Sequence, residues 1–296
     1  MPHPLIFDRR LLRARRVRAA ARDSATFLVE RAADDLAGRL SAVLRKFDLA
    51  VDLGTPTDAV RSALADRVGA IVAVHPVAPQ LAGERLAVAA DEEALPFRDA
   101  SLDLVVSALA LQFVNDLPGT LVQIRRALRP DGLFLAAMIG GDSLAELREA
   151  FAQAEAEVEG GVSPRVAPFA DLRDLGALLQ RAGFALPVTD VDRLPVRYAS
   201  PLALMHDLRR MGAGNALSER RRTPLRRATL HRMFEIYAER FADPDGRIRA
   251  TFEIVWLSGW APHESQQQPL KPGSAKTRLA DALRTQEVST GEKAGG

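Results

Sequence analysis

Residues 49–60 read LAVDLGTPTDAV: an apolar run closes on Val51-Asp52-Leu53-Gly54, and a helix-starting sequence follows at once. In an open α/β sheet, such a first strand-to-helix turn gathers backbone N–H groups and a helix N-terminus, the usual place for a nucleotide-like ligand. Turns of this kind carry two or three glycines, so that a ligand can lie against the backbone. Here a single glycine, Gly54, is followed by Thr55, Pro56, Thr57 and Asp58. With Thr55 as cap, Pro56 at the first helical position and Asp58 at the third, the sequence predicts a helix over 56–68, the cap alone contributing about 1 kcal/mol. Pro56 also removes an N–H donor, and a lost hydrogen bond to a charged ligand group weakens binding by about 1.5–3 kcal/mol. The turn has the position of a ligand site and the chemistry of a helix start.

Working outward, Ala70–Val74 (AIVAV) is the unbroken apolar run of a strand buried on both faces. Arg85–Ala90 is a third strand ending at Asp91-Glu92, and Leu102–Ser107 a fourth. A helix over 117–128 and the turn Arg129-Pro130-Asp131-Gly132, with Gly132 expected in the left-handed conformation, lead to a fifth strand at Leu133–Met138. Helices follow at 143–158, capped by Asp142, and at 171–182, stopped by Gly183. Strands alternating with helices imply right-handed βαβ units around a parallel sheet. Val188–Tyr198 and Ile248–Trp260 supply two more strands, and Pro201–Met211 and Pro224–Phe241 a helical insertion between them. Upstream of the turn lie a basic helix, 5–22, and a second helix capped by Asp23 or Ser24, with Phe27, Leu28, Ala32, Leu36, Leu40, Val43 and Leu44 at spacings of three and four. The chain thus divides into N-terminal helices (1–47), an α/β domain (48–265, with the insertion at about 200–242), and a polar tail (266–296) expected to be disordered.

Composition narrows the functional classes. A hydrophobic content of 47% and a charged content of 26% are those of a globular chain, and no apolar run reaches membrane-spanning length. Without cysteine there is no disulfide, thiolate metal site or cysteine nucleophile. Only four of the 40 basic residues are lysine, and heavy alanine and arginine usage fits a GC-rich bacterial genome. Arg9, Arg10, Arg13, Arg15, Arg16, Arg18 and Arg22 face Asp8 alone in the first 22 residues. That helix is either a solvated face or a dock for an acidic partner, a membrane surface or RNA. No aromatic residues interleave with its arginines as in a nucleic-acid stacking platform.

Candidate site residues collect at strand ends: Asp52 and Gly54 after the first strand, His75 after the second, Asp91 and Glu92 after the third, and Ser107 to Phe113, Leu109 among them, after the fourth. His75 precedes Pro76 and reads most simply as a turn histidine. His206-Asp207 and His263-Glu264 are too close in sequence to converge on a metal unaided, and no metal site is expected. Ser107 and Ser143 lack the strand–turn–helix elbow of a hydrolase nucleophile.

The stretches VDLG (51–54), DEEALPF (91–97), LDLVVSALALQFVNDLP (102–118) and LRPDGLFLAAMIGGDSLAELR (128–148) resemble class I S-adenosylmethionine-dependent methyltransferases. EGGVSPRVAPF (159–169), DLGALLQRAGF (174–184), DLRRMGAGN (207–215) and GWAPHESQ (259–266) are similar to the family of mitochondrial complex I assembly factor 5 and its alphaproteobacterial relatives. The resemblance implies a Rossmann-like sheet of seven strands, the last antiparallel, with S-adenosylmethionine over the first four strand ends. It implies that Asp52 and Gly54 begin the cofactor loop, that Asp91 lies near the adenine with Glu92 beside it, and that Leu109 lines the site. It further implies a cytoplasmic protein, in peripheral contact with the inner membrane if the basic helix binds there, that acts on a respiratory-complex subunit and modifies an arginine. Two departures stand out: the later loop glycines fall at Pro56 and near Asp58, and the acidic residue that takes both ribose hydroxyls falls at His75, whose imidazole cannot supply two acceptors. The alternatives are a small-molecule or acyl-carrier-protein thioester O-methyltransferase, and a non-catalytic assembly chaperone with a degenerate cofactor loop.

Overall fold

The computed structural model describes residues 5–267, 274 and 277–286. Strands β1 (Phe47–Leu53), β2 (Val68–Val74), β3 (Ala87–Val88), β4 (Leu102–Ala108) and β5 (Leu128–Ile139) are parallel. β6 (Ala185–Tyr198) and β7 (Ile248–Trp260) complete a sheet ordered β3-β2-β1-β4-β5-β7-β6, with β7 antiparallel to both neighbours. The strand order reverses beside β1, so the crevice beyond the carboxyl ends of β1 and β4 is the topological switch point where open α/β sheets take ligands. Helices α1 (Arg9–Ala20), α2 (Phe27–Ser41), α3 (Ala59–Leu64), α4 (Leu117–Ala127), α5 (Ala145–Glu159), α6 (Leu172–Arg181), α7 (Pro201–Arg210) and α8 (Arg227–Phe241) surround the sheet.

The apolar periodicities account for the packing. One core joins β1, β4 and β5 to α4 and α6 through Leu53, Val105, Leu121, Ile124 and Leu179. A second joins strand residues such as Ala50 and Leu104 to α2 and α3 through Ala32, Leu36, Leu40, Val60 and Leu64. A third packs α5, α7 and α8 against β6 and β7, with Tyr237 fully buried and its hydroxyl donating to the Arg249 carbonyl at 2.9 Å. Ile248–Trp260 forms the expected strand, but it is buried without a break from Phe252 to Leu257, as in a strand covered on both faces.

Local expectations fail where side chains find distant partners. α3 begins only at Ala59, because the Thr55 hydroxyl accepts from the Ala108 N–H at 3.1 Å and ties the turn to β4 instead of capping a helix. Neither Asp23 nor Ser24 caps α2: Asp23 pairs with Arg210, and Ser24 donates to the Ala19 carbonyl at the end of α1. Asp142 does not cap α5 but pairs with Arg193, and the residue before the helix is Leu144 with φ of 55°. At the 129–132 turn the left-handed residue is Asp131, φ 63°, not Gly132, and the turn lies within β5. β3 spans two residues rather than six, pairing with β2 alone at the sheet edge.

Residues 1–262 and 263–296 form two separate compact units. Within the second, a short helix, α9, runs Leu279–Leu283 where no regular structure was expected. Of the tail expected to be disordered, residues 268–273, 275–276 and 287–296 lie outside the described residues. Among the described residues, no helix is long and apolar enough to cross a membrane.

Candidate functional site

β1 delivers Asp52 and Gly54 to the switch point. Gly54 takes φ of 73°, and its N–H donates to the Val74 carbonyl at 2.7 Å, locking the turn against the end of β2. A Cβ at this position would fall 2.8 Å from Glu92 Oε1. The glycine is therefore required, but the close approach it permits is made by a carboxylate of the protein itself. Asp52, 2% exposed, pairs with Arg61 of α3, which also holds Glu84 at 2.7 Å. Burial pushes the Asp52 carboxyl up to about 6, against the pull of Arg61.

His75 follows β2 and is buried, with Nδ1 accepting from the Val77 N–H at 3.0 Å. That bond leaves the proton on Nε2, which meets no hydrogen-bond partner among the described residues. Burial, reinforced by nearby Arg16, depresses the imidazole to about 3, so His75 is neutral and presents a donor.

Asp91, Glu92 and Glu93 meet α1. Arg9 pairs with Asp91 at 2.9 Å, with Glu93 at 2.8 Å and with Glu92; Arg13 pairs with Asp91; Arg16 lies 3.7 Å from Glu92. Arg16 is 5% exposed, and its guanidinium lies over the Phe113 ring at 5.6 Å. Burial weakens its basicity, which Glu92 partly restores. The helix is anchored at its start by Asp8, which caps it, and by Phe7, whose N–H donates to Asn115 Oδ1 at 2.8 Å. The basic N-terminal helix is therefore neither free nor wholly solvated: one stripe of it closes over the acidic strand ends.

The space left at the turn is a cavity of about 110 Å³ lined by Pro56, Thr57, Leu109, Phe113 and Arg16, among others. Leu109 holds φ of 52° directly after β4. Of the six residues singled out from the sequence, only Leu109 lines this cavity; Asp52, Gly54, His75, Asp91 and Glu92 lie around the strand ends, and Gly54, His75 and Glu92 are brought next to one another or to Arg16. Among the described residues there is no group of three or more His, Asp or Glu side chains able to hold a metal. Asp207 instead pairs with Arg210, and His263 Nδ1 lies 2.6 Å from Ser265 Oγ.

In this arrangement the residues do not fit S-adenosylmethionine. His75 offers one donor where a ribose needs two acceptors. The carboxylates that would face the adenosine are occupied by guanidinium groups, and Pro56 stands on the cavity wall. Sequence reasoning missed Arg9, Arg13 and Arg16 as site residues, although their spacing of four and three places them on one helix face.

The sheet order, the antiparallel β7 and the switch-point residues define a class I methyltransferase fold. A family model described as a methyltransferase domain matches residues 51–136. Solved structures of the same fold include a putative methyltransferase from Bacillus halodurans, 17% identical with a TM-score of 0.54, covering 77% of this chain and 99% of that one. The YcgJ protein from Bacillus subtilis is 14% identical with a TM-score of 0.53, covering 77% and 98%.

The chain belongs to the family of arginine-hydroxylase NDUFAF5. It is 40% identical to the Homo sapiens protein of that name over 286 residues, covering 93% of this chain and 83% of the relative, and 39% identical to the Mus musculus protein over 298 residues, covering 97% and 87%. A malonyl-[acyl-carrier protein] O-methyltransferase from Laribacter hongkongensis is 41% identical over 186 residues, but only 63% of this chain and 60% of that one are covered.

Proposed function

We propose that this protein acts on a protein partner during assembly of respiratory NADH dehydrogenase (complex I), and that an arginine side chain of a subunit is the group it modifies. The observation that carries the proposal is the extent of similarity to the NDUFAF5 relatives, 93–97% of the chain, far beyond the methyltransferase core at 51–136. It includes the loop at 159–169 and the helical insertion, which a methyltransferase domain does not need. The O-methyltransferase alternative has support over only about three fifths of the chain. We place the protein in the cytoplasm, with Arg10, the exposed arginine of α1 that serves neither the strand ends nor a cleft, on the side of the helix that would contact the inner membrane.

The test is co-purification of the tagged protein with its partner from its own cells, followed by mass spectrometry of the partner's arginines with and without the protein. An arginine modified only when the protein is present is the expected result; an unmodified arginine in wild-type cells overturns arginine modification. The blocked carboxylates at Asp91 and Glu92 favour a second reading, a non-catalytic assembly chaperone on a methyltransferase fold. A thermal-shift titration separates methyl transfer from both readings. Saturation at 100 times the dissociation constant stabilises by about 2.7 kcal/mol, several degrees, and no shift is expected at millimolar S-adenosylmethionine.

A further inference from the structure

A second cleft, of about 540 Å³, lies between α1, α5, the 163–169 segment, α7 and the 212–216 turn. Its floor is apolar, built from residues such as Leu147, Phe151, Val166, Met205 and Leu208. Its walls carry six arginines, Arg15, Arg18, Arg22, Arg165, Arg209 and Arg210, and no aspartate or glutamate. Two of the six are neutralised within the chain. Arg165 is held by the buried Glu155 at 2.8 Å, and Arg210 by Asp207 at 2.9 Å and by Asp23.

The other four form no ion pair with a carboxylate among the described residues, although Asp8 lies within electrostatic reach of Arg15. Arg15 and Arg18 donate to the backbone carbonyls of Asn215 and Ala14. Burial and the neighbouring Arg220 and Arg18 lower the basicity of Arg15, which places these like charges within electrostatic reach of one another. A concave wall of one sign over an apolar floor focuses its potential into the cleft.

We propose that this cleft docks an acidic segment of a protein partner, one that interleaves carboxylates with apolar side chains; that the partner is a protein rests on the function proposed above. The carboxylates meet Arg15, Arg18, Arg22 and Arg209, and the apolar side chains cover the floor. Nucleic acid fits less well, because the aromatic faces that would stack bases are taken. Phe7 meets Phe113 edge-on at 5.6 Å, Phe113 meets Phe169 at 6.4 Å, and Arg165 lies over Phe151. A bilayer surface fits less well because the charges line a concavity. The N-terminal segment divides its arginines accordingly: Arg9, Arg13 and Arg16 of α1 close the strand ends, while Arg15 and Arg18 of α1 and Arg22 just beyond it serve the cleft.

The probe is a fluorescein-labelled twelve-residue peptide of glutamate and leucine, compared with its glutamine–leucine counterpart, titrated with the full-length protein at low salt and read by anisotropy. Binding of the acidic peptide, loss of binding with added salt, and weakening by about tenfold or more in the triple variant R18Q/R22Q/R209Q are expected, three exposed pairs each contributing a modest amount. Those three side chains are exposed, and circular dichroism and melting of the triple variant establish that it folds. No binding, equal binding of the neutral peptide, or unchanged affinity in the triple variant overturns the proposal. Tighter binding of phosphatidylserine vesicles or single-stranded RNA through the same three arginines also overturns it. Because the assay uses neither cofactor nor reaction, its failure leaves the arginine-modification experiment to be decided separately.

Discussion

His75 shows how burial sets chemistry one residue at a time. An unfolded histidine titrates near its ordinary value of 6.5, whereas the folded ring stays neutral until the pH approaches about 3. A depressed folded value means that the stability contributed by neutral burial is complete above about 6.5 and is lost as the pH falls toward 3. Asp52 works in the opposite sense: its carboxyl, raised to about 6, favours the folded state below about 4 and loses that contribution as the pH rises to 6. The two partly cancel in the wild type, so the histidine is isolated by comparison with H75N. Between pH 7 and pH 5 the stability of the wild type relative to the variant should fall by about 2 kcal/mol, read from urea midpoints at each pH. An unchanged difference would mean that His75 is protonated or solvated in the fold. The sequence placed Asp52 and His75 correctly at strand ends, since these are visible in local apolar runs, whereas Asp91 and Glu92 lie three and four residues beyond the end of β3. It could not reveal their partners: Arg9 and Glu92 are 83 residues apart, and nothing local connects them.

At the scale of elements, α1 is where local reasoning loses most. Seven arginines against one aspartate read as a uniformly basic helix, but they separate into two sets, 9-13-16 on one face of α1 and 15-18 of α1 with Arg22 just beyond its end. The first complements the acidic run 91–93, a correspondence of opposite charge runs that the sequence contains. Only the fold decides that they meet, and Leu12, Arg16 and Ala19 are buried as a result. The energetic weight lies with Glu92, whose side chain is 2% exposed, pairs with Arg9 and lies 3.7 Å from Arg16. Removing one partner of a buried pair costs about 3–5 kcal/mol, whereas replacing both by uncharged groups costs far less. R9M should therefore destabilise by about 3 kcal/mol, and adding E92Q should recover a large part of that loss, as measured by guanidinium unfolding of the four members of the cycle. Additive losses would show that Arg9 and Glu92 do not depend on each other. The capping errors at Asp23, Ser24, Thr55 and Asp142 have a related origin, because in three of them a residue suited to a local cap is taken by a partner elsewhere in the fold: Arg210, Ala108 and Arg193.

The whole molecule was the most legible level. The apolar runs and their spacing point to βαβ units around a parallel sheet, whereas seven strands with the last antiparallel followed only from the family resemblance, and the order β3-β2-β1-β4-β5-β7-β6 from the structure. What the pattern could not convey is that the N-terminal helix and the switch point share one set of carboxylates. On the roles that the family resemblance implies for Asp91 and Glu92, an adenosine-containing ligand at the ends of β1–β4 would compete for them with α1, which holds both in its present position. Two occupants of one group are coupled with negative sign, and the coupling is reciprocal. If S-adenosylmethionine binds this protein at all, the wild type binds it only to the extent that α1 is displaced, and its apparent affinity is reduced by the fraction of molecules in that state. R9Q/R13Q, which loosens α1 while leaving the strand ends intact, should then bind S-adenosylmethionine more tightly than the wild type in calorimetric titration. The same variant should show faster amide hydrogen exchange across residues 9–20 in the absence of ligand, reporting the helix directly. A wild type that binds as tightly as the variant, or more so, would mean that the arginines of α1 belong to the ligand site rather than block it.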